Sequence, residues 1–238
     1  MRDSWSISDF VLIWLGGLLG GALLGGIGFL VLSTEWSIIL ALAGGIGINL
    51  AILWWLYRRK SKPHLGFELE PQDLAYLALG VVLQLAVAFL MLPLAERLFP
   101  EGGPPQEIAQ ELADPDTALM VKLAVVIAAV LVAPVVEELI YRGVLLRAMH
   151  GRDSQRSRRF VITATAAVFS AVHIVTLTEP FLATGALVLP PLFFLGAVLA
   201  WLTLRSGRLG PAIFTHTGFN LVSALVLLLP LELLEAAG

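Results

Sequence analysis

Long apolar runs, separated by short polar or charged breaks, organise this chain. Residues 10–32, 36–57, 74–94, 118–149, 160–177, 181–204 and 211–231 each read as one run of about 18 residues or more, the length that crosses a hydrocarbon core. Seven spans are therefore predicted. The first carries Gly16, Gly17, Gly20, Gly21 and Gly25, and the second carries Gly44, Gly45 and Gly47. Glycines four apart make thin faces on which membrane helices approach closely. Whether span 1 uses its face within the chain or between chains is open. In span 3, Gln84 is the strongly polar interior residue and predicts an interhelical hydrogen bond. The fourth run is too long for one simple crossing, so it tilts, bends near Pro134 or extends beyond the bilayer. Span 6 is expected to be irregular at Pro190-Pro191. Pro211 is well placed to open span 7. In the loop before span 4, Pro104-Pro105 with Ile108 and Leu112 four apart predicts a short surface helix.

Composition agrees with the pattern. Of the 238 residues 58% are hydrophobic and 14% charged, well below the share of about 25% in soluble domains. The fold class that follows is all-α, a polytopic membrane helical bundle of about seven transmembrane helices. Residues 1–238 form one integral membrane domain, with helices 1–117 and their outer acidic loop accessory to a core at 118–231. There are no cysteines, which excludes disulfides and thiolate metal sites. The head of the chain does not read as a cleaved signal, because its first apolar run is too long.

Charge orients the spans. Arg58-Arg59-Lys60-Ser61-Lys62 follows span 2, and a second basic loop around residues 150–159 follows span 4. With the N-terminus inside, the inner segments hold Arg2, Arg58, Arg59, Lys60, Lys62, Arg147, Arg152, Arg156, Arg158, Arg159, Arg205 and Arg208, which is 12 of the 15 basic residues. The acidic loop 96–117 and a tail with Glu232 and Glu235 fall outside. A wrong number of spans would scramble this bias.

Against this background Glu137, Glu138 and Arg142 stand out, because charges at membrane depth are costly and mark interior or wet sites. Residues four apart share a helix face, so Glu138 and Arg142 are predicted ion-pair partners and Glu137 is left for another task. Span 5 has Phe169 and His173 four apart; span 7 has His216 and Asn220 four apart. At 1.5 Å per residue, Glu137, His173, His216 and Asn220 lie roughly 9–20 Å from the inner ends of their spans, depths that overlap in the inner half of the bilayer. A carboxylate and an imidazole activate water as general base, and a second His with an Asn donates to an oxyanion. Glu137, His173 and His216 equally suit a zinc ion with a nucleophilic water, and these two chemistries stay open at this point. The chain has no HExxH, no Gly-x-Gly-Asp and no glycine-flanked serine of the rhomboid kind.

The set EExxxR (Glu137, Glu138, Arg142), FxxxH (Phe169, His173) and HxxxN (His216, Asn220), in this order on separate helices, resembles the CPBP or Abi family of CAAX-prenyl endopeptidases and bacteriocin-processing proteins. The likeness extends over about 118–231. It implies a CAAX-protease-like core and an intramembrane glutamate protease, in which Glu137 is the base and holds the attacking water with His173. His216 and Asn220 form the oxyanion site, supported by Glu138, Arg142 and Phe169. The family is also labelled metalloprotease; Asn220 and Arg142, poor metal ligands, favour a mechanism without a required metal. A non-catalytic scaffold that sequesters a peptide and a proton or ion transporter are the competing functions. Expected partners are a membrane-associated peptide or protein and the bilayer, not nucleic acid; oligomeric state is undetermined. The short loops point to a prokaryotic plasma membrane.

Overall fold

The structure is a computed structural model that describes residues 4–100, 117–151 and 156–228. The helix expected after Pro104-Pro105, most of the acidic loop and the tail with Glu232 and Glu235 lie outside these residues. The described chain is helical: α1 (Ile7–Val31), α2 (Thr34–Arg59), a 3-10 turn Pro71–Ala75 leading into α3 (Tyr76–Leu98), α4 (Leu119–Met149), α5 (Arg158–Val172) ending in a 3-10 turn His173–Thr176, α6 (Phe181–Ser206) and α7 (Gly210–Leu228). Among the described residues α1 to α6 are long and apolar enough to cross a membrane. The seventh expected span is α7, described as far as Leu228. This is a polytopic membrane helical bundle.

Helices in lipid gain little from hydrophobic burial against each other, so close packing of small residues matters. The glycine faces of α1 and α2 meet within the chain. A Cβ on Gly21 would lie 3.0 Å from Ala41 O and 3.4 Å from Gly45 Cα. The crossing of α3 and α7 is as tight. A Cβ on Gly80 would run into Thr215 O, and one on Gly218 into Leu77 O. Gln84 Nε2 donates to Ser223 Oγ at 2.9 Å across the same contact, the interhelical bond expected of it.

α4 departs from α geometry twice, through π-helical segments at Ala128–Val132 and Leu139–Leu145. The first has a readable cause. Ala133 N–H donates to Ala128 O, five residues back, so the next bond in that register would run from residue 134 to Ala129 O. Residue 134 is proline and has no N–H. Ala129 O is thereby left without its helical donor, and Asn220 Nδ2 from α7 donates to it at 2.9 Å. The predicted bend near Pro134 thus takes the form of a π turn just before it. Pro190 and Pro191, by contrast, do not break α6, which runs unbroken from Phe181 to Ser206. The two missing backbone bonds are tolerated in a packed bundle.

One end of the bundle is tied by polar contacts, and these join the segments read from charge as inner. Arg147 donates to Leu65 O (3.1 Å) and Gly207 O (2.9 Å). Arg208 makes two bonds to buried Asp73, at 2.7 and 3.1 Å, which together with Glu70 hold its pKa above the usual arginine value. Lys60 pairs with Asp9 at 2.9 Å, and Trp5 Nε1 donates to His64 O at 3.3 Å.

Candidate active site

The two adjacent glutamates of α4 have different surroundings. Glu138 and Arg142 have fully buried side chains, and Nη1 of Arg142 donates to Glu138 Oε1 at 2.8 Å. Nη2 donates to Gly196 O on α6 at 3.0 Å. The guanidinium lies 4.6 Å from the centre of the Phe169 ring, in cation–π range. The ion pair predicted from the i,i+4 spacing is therefore present, with a carbonyl and an aromatic ring completing it. Glu137 instead keeps 28% of its side chain exposed, while its Oε2 atom is buried without a hydrogen-bond partner. The split between a neutralised and a freer carboxylate holds.

His216 of α7 sits between the two. Its Nδ1 donates to Glu138 Oε1 at 3.1 Å, and its Nε2 lies 3.8 Å from Glu137 Oε2. That second separation is too long for a hydrogen bond. The ring is 2% exposed. Glu138 thus links Arg142 to His216 and fixes which His216 nitrogen faces Glu137.

His173 lies at the end of α5. It stands where α5 gives way to the 3-10 turn, half-buried, with Nδ1 donating to Phe169 O at 2.7 Å. A carbonyl only accepts, so Nδ1 carries the proton and Nε2 keeps its lone pair. No hydrogen bond or ion pair joins His173 to Glu137 in the described structure; the imidazole in ion-pair range of Glu137 is His216. Phe169 connects the two histidines. Its fully buried ring is 5.0 Å from the His173 ring and 5.7 Å from the His216 ring, centre to centre. Asn220 uses one N–H on Ala129 O and has a second left.

The spacing of charged residues does not point to several groups that build this site. Tyr141 is buried edge-on to Phe169 at 5.1 Å and against Phe10 of α1 at 5.4 Å, so α1 braces the Glu137–Arg142 stretch of α4. Gly196 supplies a carbonyl to Arg142 and lets α6 approach α5: a Cβ there would lie 3.1 Å from Ala166 Cα and 3.2 Å from Phe169 Cδ1. A lone glycine in a bulky apolar run is the available signal for it. Ala129 O becomes visible only through Pro134 five residues on.

The zinc alternative rests on Glu137, His173 and His216. Among the described residues no three His, Asp or Glu side chains form a group able to hold a metal ion. His216 lies in ion-pair range of both carboxylates, but His173 makes no ion pair with either, so the three side chains do not gather around one point. As arranged among the described residues, Glu137, His173 and His216 do not form a metal-binding group.

The fold places the chain among polytopic membrane proteins, with a buried Glu–Arg–His cluster inside the bundle. Residues 119–222, somewhat under half of the chain, match the family model of the Rce1-like type II CAAX prenyl endopeptidases. The match contains all three motifs on which the resemblance was drawn. No curated protein and no solved structure matches the chain.

Proposed function

We propose that this protein hydrolyses a peptide bond of a membrane-associated protein or peptide, with Glu137 as general base and no required metal. The carrying observation is the buried, unpartnered Oε2 of Glu137 beside His216, whose other nitrogen is fixed by the Arg142-neutralised Glu138. Glu137 takes a proton from a water that His173 Nε2 helps to hold, and the water oxygen attacks the scissile carbonyl. The electron pair displaced onto the carbonyl oxygen is met by the second N–H of Asn220 and by Nε2–H of His216 in its imidazolium form. Collapse of this intermediate expels the amine, which receives its proton from Glu137. His173 reaches this arrangement when substrate and water lie between it and Glu137.

The test is cleavage of a membrane-anchored peptide by protein reconstituted in liposomes. Glu137→Gln and His173→Ala are expected to lose at least about 100-fold in rate. Cleavage at the wild-type rate by both variants sinks the proposal. Equal capture of a peptide by wild type and Glu137→Gln, with product from neither, replaces it with a sequestering scaffold.

The setting we propose is a prokaryotic plasma membrane with the tied end of the bundle in the cytoplasm. Support comes from the basic residues at that end, among them Arg58, Arg59, Arg147, Arg205 and Arg208. Because the chain has no cysteine, a single Gln72→Cys variant reports on this directly. An impermeant thiol reagent is expected to label it in lysed cells only; labelling in intact cells reverses the orientation.

A further inference from the structure

Beside the tied end, and separate from the Glu–Arg–His cluster, lies a half-open cavity of about 640 Å³. This is within the range of about 300–1,000 Å³ typical of ligand sites. Its apolar wall comes from Leu50, Leu53 and Trp54 of α2, Phe67 of the following loop and Leu139 of α4. Leu50, Trp54 and Phe67 are exposed large hydrophobics, so the wall opens outward. Leu50 precedes Arg59 by nine residues, or about 13 Å along the helix. That is about half of a 30 Å hydrocarbon core, the depth of one leaflet.

The mouth has the opposite character. Lys62 and His64 line it, with Glu68 as the acidic residue among the lining groups. Arg58 sits 5.5 Å from the centre of the Trp54 ring, a cation near the cavity though not among its lining groups. Lys62 is held in an uncommon conformation. Ser61 and Lys62 have φ of 60° and 59°, the left-handed region that usually costs a non-glycine residue about 1–2 kcal/mol. The bond from Lys62 N–H to Tyr57 O at 2.9 Å closes this turn over the end of α2. The loop beyond is pinned by Trp5 on His64 O and Arg147 on Leu65 O, so the cavity wall is fixed on both sides.

We infer that this cavity is a binding site for one anionic phospholipid, its acyl chain along Leu50, Leu53, Trp54 and Leu139 and its phosphate on Lys62 and His64. The apolar depth matches one leaflet, and the cationic rim stands where a headgroup phosphate lies. Leu139 directly follows Glu138 and opens the second π segment, so a bound chain touches the helix that carries Glu137, Glu138 and Arg142.

The experiment uses the full-length purified protein and native mass spectrometry with phosphatidylglycerol or phosphatidylcholine of identical chains. One phosphatidylglycerol is expected to bind at least about 10-fold more tightly than phosphatidylcholine. Lys62→Glu is expected to abolish the preference. Leu50→Trp, at an exposed position that does not threaten folding, is expected to fill the cavity and remove binding of both. Glycerol phosphate alone is expected not to compete, which separates a lipid site from a phosphate site. Equal binding of the two lipids overturns the inference, as does a preference that survives Lys62→Glu or Leu50→Trp. A neutral isoprenoid alcohol that displaces the lipid equally from wild type and Lys62→Glu also overturns it, in favour of a neutral-chain site. The readout is binding, so an inactive protease with intact lipid preference leaves this inference standing, and the reverse outcome leaves the protease proposal standing.

Discussion

Replacing Arg142 with methionine keeps an unbranched side chain and removes its charge. In the native bundle the guanidinium bonds Glu138 Oε1 at 2.8 Å and Gly196 O at 3.0 Å, and stacks 4.6 Å from the Phe169 ring centre. After the substitution Glu138 is still fully enclosed. Its remaining partner is His216 Nδ1, and its Oε2 already lacks one. Removing one member of a buried ion pair costs about 3–5 kcal/mol, because a charge is left stranded. Against a typical total stability of about 5–15 kcal/mol this is a large loss. The double variant Glu138→Gln/Arg142→Met removes the stranded charge and is expected to recover to within about 1–2 kcal/mol of wild type. The assay is reversible unfolding by SDS in mixed micelles, followed by circular dichroism. A loss below about 1 kcal/mol in Arg142→Met, or a double variant no more stable than the single, refutes the buried-pair description. Cleavage separates a second role: the double variant is expected to stay at least about 100-fold slow although refolded, because His216 has lost its charged orienting partner.

Further outcomes follow from the backbone. Asn220→Ala leaves Ala129 O without a donor and is expected to cost about 1–3 kcal/mol in the same titration. Adding Pro134→Ala restores a backbone N–H near that carbonyl and is expected to recover part of the loss; strict additivity of the two changes refutes the link. Gly80→Ala is expected to destabilise by about 1–3 kcal/mol, because its Cβ meets the backbone of α7 rather than a movable side chain. Gly26→Ala, where a Cβ meets nothing within 4 Å, is expected to be neutral or stabilising by about 0.5–1 kcal/mol. Equal effects at the two glycines count against the α3–α7 crossing.

The spans were legible in the sequence because the hydrocarbon core imposes a length, and charge set which ends gather together. Arg147, Arg208 and Lys60 now make polar ties at one end, as their grouping required. The Glu138–Arg142 pair was legible because i,i+4 geometry is local. The separation of His173 from Glu137 was not, because it depends on how α4 and α5 rotate against each other. Depth counting places residues along a helix axis but says nothing of the angle around it. The two π turns of α4 add to that angle, and no residue pattern announced the one at Leu139–Leu145. The first was half-legible: Pro134 marked a disturbance, but not the orphaned carbonyl that occupies Asn220. Pro190-Pro191 did not end α6, since a bundle tolerates missing bonds that an isolated helix does not.

The α3–α7 crossing also has a bearing on how the protein is made. α7 carries His216 and Asn220, and it is the last described helix to leave the ribosome. Until it inserts, Gln84 on α3 faces lipid without Ser223, and the carbonyl of Ala129 on α4 is without Asn220. Unpaired polar groups in hydrocarbon are costly, so the six earlier helices are held loosely until the seventh arrives. The residues proposed for hydrolysis therefore come together only once this helix has inserted.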